Sequence, residues 1–146
     1  MRSLTLFGLV ICLLWCTACQ ESSSKEKHAK ASTIALEELE GYWEIAFVTH
    51  ANETFYPKKG GAPLWDYYKL DTTQGFRKKG QPLFDGRFQA SKATTAFSIE
   101  HRKEGYTLVF QTPLDQWEEK LIYVDSVQLV LEHHDKNYHY NRRKLK

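Results

Sequence analysis

The stretch Gly41-Tyr42-Trp43-Glu44-Ile45-Ala46-Phe47 (GYWEIAF) is where the chain takes up a period of two. Successive side chains of an extended strand point to opposite faces. Trp43, Ile45 and Phe47 therefore share one face, and Glu44 lies on the other. The same signature recurs downstream at 65–70 (WDYYKL), 76–79, 87–90, 94–101, 106–111, 117–124, 127–133 and 138–142. Turn residues bound each run: 71–75 (DTTQG), Ser91-Lys92, Lys103-Glu104-Gly105, Thr112-Pro113, Asp125-Ser126 and Asp135-Lys136-Asn137. Gly80-Gln81-Pro82 is expected to break the strand at 76–79. The segment 51–63 (ANETFYPKKGGAP) reads as one long connection.

Eight or nine short strands at hairpin spacing, with no amphipathic helical run of ten residues after Gly41, predict an all-β domain. An antiparallel sandwich and an up-and-down barrel both fit this pattern. Alternation puts Trp43, Ile45, Phe47, Phe88, Phe97, Ile99, Tyr106, Leu108, Phe110, Leu129 and Leu131 on the inner face.

Upstream the character changes. Residues 31–40 (ASTIALEELE) make either a short helical turn, capped by Ser32 or Thr33 with Ile34, Leu36 and Leu39 inward, or a linker into the first strand. Residues 20–30 (QESSSKEKHAK) are polar and aperiodic, a flexible tether. Before them stand Arg2 and the apolar run 4–15 (LTLFGLVICLLW), long enough for a signal segment and short of the roughly 20 residues that cross a bilayer. All three cysteines, Cys12, Cys16 and Cys19, fall in this region, so the folded part has none to pair.

The segment Cys16-Thr17-Ala18-Cys19 resembles the lipobox of bacterial lipoproteins, with Cys16 standing where that family usually has leucine. The resemblance implies a signal peptide over 1–18, removed ahead of an acylated Cys19. It also implies a tether over 19–38 and a membrane held by the acyl chains. The alternative is an ordinary secretory signal cut after Ala18, which leaves Cys19 a free thiol. Gln20 after the cysteine favours the outer membrane of the cell envelope.

Leu39-Glu40-Gly41-Tyr42-Trp43 is similar to the Gly-x-Trp opening of lipocalin-like domains, and the order of parts looks like the lipocalin-like lipoproteins of Bacteroidota. This implies a small antiparallel up-and-down barrel over 39–146. Gly41 would start its first strand, Trp43 would close its floor, and Arg142 or Arg143 would stack over the tryptophan. The span is shorter than a full lipocalin, which implies a shallow barrel.

With 1–19 removed, 127 residues remain, and since Arg2 is the one charge lost, 19 basic face 18 acidic side chains. That balance supplies no field for nucleic acid. No Gly-x-Ser-x-Gly, HExxH or phosphate-cradling loop is present, no residue is assigned to catalysis, and no cofactor is implied. His133 and His139 flank a hairpin turn, but polar residues belong at such a tip, and no metal ligand is assigned. Glu118 and Glu119 read as a solvated edge.

Two functions fit. One is a module binding a small apolar or amphipathic ligand, with Trp65, Tyr67, Tyr68, Phe76 and Phe84 as rim aromatics. The other is a filled barrel that binds or inhibits another envelope protein through its surface.

Overall fold

The computed structural model describes residues 34–145. The expected signal segment, Cys19 and the expected tether up to residue 33 lie outside the described residues. Ten strands follow in chain order: β1 (Gly41–His50), β2 (Glu53–Phe55), β3 (Trp65–Asp71), β4 (Gln74–Pro82), β5 (Phe88–Ala90), β6 (Thr95–Arg102), β7 (Gly105–Gln111), β8 (Gln116–Val124), β9 (Gln128–His133) and β10 (Lys136–Arg143). Leaving out β2 and β5, each strand pairs antiparallel with the next, and β10 pairs back onto β1. Eight strands thus close an up-and-down barrel, the architecture the sequence implied, and closure removes the exposed edge an open sheet would present.

The strand β5 falls within the one expected at 87–90, whereas β2 and the length of β4 correct the sequence reading. β2 lies within the expected loop and pairs with Val48–His50, beyond the point where β3 leaves β1. Gly80-Gln81-Pro82 does not break β4; it carries the pairing with β5. Gly80 permits this approach, since a Cβ there would stand 2.6 Å from the Phe88 ring and 2.4 Å from the Gln89 carbonyl oxygen.

One end of the barrel is closed. Leu36–Leu39 form a 3-10 turn whose start, Ala35, has no side-chain cap; Ser32 and Thr33 lie outside the described residues. Ile34 and Leu36 pack against the core and Leu39 is fully buried, so this part of the expected tether belongs to the folded body. Trp43 is also fully buried and donates from Nε1 to the Leu39 carbonyl at 2.9 Å.

Register places Arg142 opposite Trp43 and Arg143 opposite Tyr42, so the two arginines face apart. Arg142 lies 4.3 Å over the Trp43 ring. Its guanidinium donates to the Glu40 carbonyl at 2.8 Å, to the Glu38 carboxylate at 3.0 Å and to the Glu38 carbonyl. Arg143 pairs instead with Glu44 on the outer face. Gly41 adopts φ +139°, and a Cβ on it would meet Arg142 Nη1 at 2.7 Å, so this corner takes glycine.

Above the floor the lower barrel is filled by Phe97, Ile99, Leu108, Phe110, Leu121, Leu129 and Leu131, all buried. Of the eleven residues expected inward, Phe47 and Phe88 lie outside. Register slips between Ile45 and Phe47: Ile45 faces Tyr140, and Phe47 faces His139, the very next residue of β10. This bulge turns Phe47 outward, where it stacks on His139 with ring centroids 4.3 Å apart. Phe88 sits on β5 and packs over the outer wall against Tyr42.

Candidate functional site

The end of the barrel opposite the floor holds a polar layer. Alternation turns Asp66 and Tyr68 of β3, Arg77 and Lys79 of β4, Trp117 and Glu119 of β8, His133 of β9, and Tyr138 and Tyr140 of β10 inward. Each shares its strand's inner face with the apolar residues below it. Leu121 lies two positions beyond Glu119, and Leu131 lies opposite Tyr138.

The centre of the layer is Arg77. It donates to Glu119 at 3.1 Å, and the two side chains are only 11% and 10% exposed. Arg77 also reaches the Tyr68 hydroxyl at 3.4 Å and its Cζ lies 4.3 Å over the Phe110 ring. Trp117 Nε1 completes Glu119 at 3.0 Å. Beside this pair, Lys79 donates to the buried Asp66 carboxylate at 3.0 Å.

Burial works against the Arg77 charge, but Tyr68 and Glu119 beside it more than reverse this, and its pKa lies above the ordinary arginine value. Burial, reinforced by Asp66 and Glu119, pushes the Tyr140 phenol well above the usual tyrosine range, so its hydroxyl stays protonated.

Above this floor lies a cup of about 170 Å³, lined by Arg77, Lys79, Glu119, His133, Tyr138 and Tyr140. Apolar packing thus stops at Phe110, one guanidinium layer separates it from the cup, and the cup opens toward the rim. It is smaller than the roughly 300–1,000 Å³ of a site for a drug-sized ligand. No large apolar chamber lies inside the barrel among the described residues.

The five aromatics expected at a ligand rim are not brought together. Tyr68 is fully buried inside, its hydroxyl accepting from Arg77. Trp65 and Tyr67 have the opposite parity on β3 and point outward. With Tyr42, Phe76 and Phe88 they form an aromatic panel on the outer wall: Tyr42–Tyr67 at 4.7 Å, Tyr67–Phe76 at 6.2 Å and Trp65–Phe88 at 6.3 Å. Phe84 is fully exposed at the tip of the β4–β5 connection, beside a shallow outer groove that Trp65 and Leu145 also line.

The histidines are likewise separated. His133 Nδ1 bonds the Glu118 carbonyl at 2.7 Å, while His139 lies on the outer face, 3.3 Å from Thr49 Oγ1. No group of three metal-ligating side chains occurs among the described residues.

Glu118 and Glu119 were expected on one solvated edge, and only Glu118 is there, paired with Arg102 at 2.7 Å. Glu119 is buried. Its signal was present in the sequence: it alternates with Trp117 and Leu121, an acid in an apolar register. Arg77 carries no comparable mark, because it stands between Phe76 and Lys78 with no apolar neighbour of its own parity nearer than Gly75.

No protein-family model matches the chain, and no curated protein does. Among solved structures, the chain is similar to a lipocalin-like protein from Bacteroides uniformis at 12% identity and a TM-score of 0.45, with 73% of this chain and 99% of that one covered. It is also similar to an uncharacterized protein from Bacteroides eggerthii at 5% identity and a TM-score of 0.44, with 71% of this chain and 98% of that one covered.

Proposed function

We propose that this chain is a lipid-anchored barrel of the bacterial cell envelope, held at the outer membrane through Cys19, that binds a small molecule in the cup above Arg77 and Glu119. The observation that carries this reading is a buried, hydrogen-bonded charge layer set under open space in a barrel otherwise filled with apolar side chains. Removing charges from water costs several kcal/mol per ion, and apolar residues of similar volume often do as well or better. A barrel that needed only a core has no use for Arg77 and Glu119 there. The expected apolar or amphipathic ligand narrows accordingly: its polar part has a floor to meet, and an extended apolar part has no chamber inside.

Native mass spectrometry of the full chain, extracted in mild detergent from the envelope of its own host, tests the reading. A discrete excess mass that disappears on denaturation, and is reduced with Tyr140→Phe, is the expected result. A clean apo mass under conditions that keep the fold overturns it. Acylation is read in the same spectrum, since Cys19→Ser removes the acyl mass and releases the protein from the membrane fraction.

One observation favours the second reading, a module that binds an envelope protein. The outer wall carries the Tyr42–Trp65–Tyr67–Phe76–Phe88 panel, with a fully exposed Phe84 at its edge. Crosslinking in cells that finds a recurrent partner, lost with Phe84→Ser, supports it; the absence of any recurrent partner ends it.

A further inference from the structure

We infer that the molecule taken by the cup is a small, uncharged, hydroxyl-bearing ring of monosaccharide size; this rests on the binding reading above and names its ligand class. Two cations, Arg77 and Lys79, meet two anions, Glu119 and Asp66, and each is paired across a direct contact. The site is balanced before any ligand arrives. A ligand bearing a net charge would bring an unmatched ion into a partly desolvated layer, which is the arrangement low-dielectric sites disfavour most.

Hydrogen bonding narrows the class further. Arg77 engages its neighbours through Nη1 alone, so Nε and Nη2 have no partner among the described residues. The Tyr140 hydroxyl, also in the lining, bonds none of the described residues. The two sealed polar atoms without a partner are Trp65 Nε1 and Arg142 Nε, and neither lines the cup. The cup's uncommitted donors and acceptors therefore face open space.

Donors and acceptors occur together, and each alcohol group both donates and accepts. A hydrocarbon would cover these groups and satisfy none. A carboxylate would satisfy the donors and set a like charge beside Glu119, the acid that lines the cup. A polyol ring satisfies both kinds. Tyr138 and Tyr140 supply flat walls against which a ring can lie. The volume, about 170 Å³, equals that of roughly six liquid waters, room for one small ring and no more.

Isothermal titration of the full chain tests the class. The probes are glucose, galactose and mannose as neutral rings, with glucuronate and glucosamine as the anionic and cationic forms of the same skeleton. A neutral ring is expected to bind at least tenfold more tightly than either charged counterpart. Glu119→Gln is expected to weaken it tenfold or more. Tyr140→Phe, which removes one oxygen and leaves the fold intact, is expected to weaken it severalfold.

Tighter binding of glucuronate or glucosamine overturns the class. So does a native ligand whose mass and fragments identify an ionised group or a hydrocarbon, although the binding reading then survives. No adduct in the native spectrum together with no heat from any probe overturns both.

Discussion

Replacing Arg77 by methionine keeps most of its length over the Phe110 ring and removes its charge. Glu119 is then left 10% exposed, without its cation and with Trp117 Nε1 as its remaining side-chain donor. Breaking a buried pair by removing one partner typically costs about 3–5 kcal/mol, because the other charge stays desolvated and uncompensated. For a domain of this size that corresponds to a fall in Tm of roughly 10–20 °C. The double variant Arg77→Met with Glu119→Gln removes both charges and keeps an amide oxygen as acceptor for Trp117, so it is expected to recover all but about 1–2 kcal/mol of the parent's stability.

Urea unfolding followed by tryptophan fluorescence reads all four corners of this cycle, with an unchanged m-value as the check that the folded body is the same. Arg102 supplies the contrast. Its ion pairs with Glu100 and Glu118 are 42–49% exposed, and Arg102→Gln is expected to cost under about 1 kcal/mol. A cost below about 1 kcal/mol for Arg77→Met, or a double variant as damaged as the sum of its singles, would refute the claim that this pair is desolvated and mutually dependent.

Other outcomes follow from the same geometry. Gly41→Ala sets a Cβ at φ +139° and 2.7 Å from Arg142 Nη1, and should destabilise by about 1–3 kcal/mol in thermal melts. Burial lowers the His139 pKa below its ordinary value near 6.5, so folding favours the neutral ring. That contribution is complete above about pH 6.5 and is lost as pH falls through the depressed folded value, and His139→Gln should flatten the stability profile across that window. Tyr67→Ala, on the outer wall, should leave ligand binding unchanged, whereas Tyr140→Phe should weaken it; titrating both variants with the ligand identified by native mass spectrometry separates wall from cup. Asp125→Ala removes the acceptor of the Val127 and Gln128 amides, each at 2.7 Å, and should cost about 1–2 kcal/mol in the β8–β9 turn.

The barrel was legible because its signal is local and repeated. Alternating apolar residues bounded by turn residues set eight of the ten strands near their observed limits, and the opening at Gly41 located the floor. β2 escaped notice because Glu53-Thr54-Phe55 forms a strand only by adding to the upper edge of β1, and that edge exists only once the barrel has closed. Phe47 was assigned to the wrong face because a one-residue bulge reverses parity, and no residue in Ile45-Ala46-Phe47 announces one.

Composition alone points to the rim aromatics, and parity separates them. Trp65 and Tyr67 cannot share a face with Tyr68, and only the register of β3 decides which of them lies inside. The cup itself was nearly invisible in the sequence. It is made of charges that face inward, against the rule that charged residues read as solvent-facing. It draws on four strands separated by up to 63 positions, from Arg77 to Tyr140. Such a layer breaks local consistency, and places of that kind tend to be sites or strained points rather than core.

The central claim is that the cup above Arg77 and Glu119 holds a small molecule. A crystal structure of the full chain purified from its own host's envelope, without added ligand, tests it most directly. The account predicts ordered non-protein density within hydrogen-bond distance of Arg77 Nη2 and the Tyr140 hydroxyl. A cup closed by side chains, or occupied by water alone while density lies on the outer wall beside Trp65 and Phe84, would contradict it.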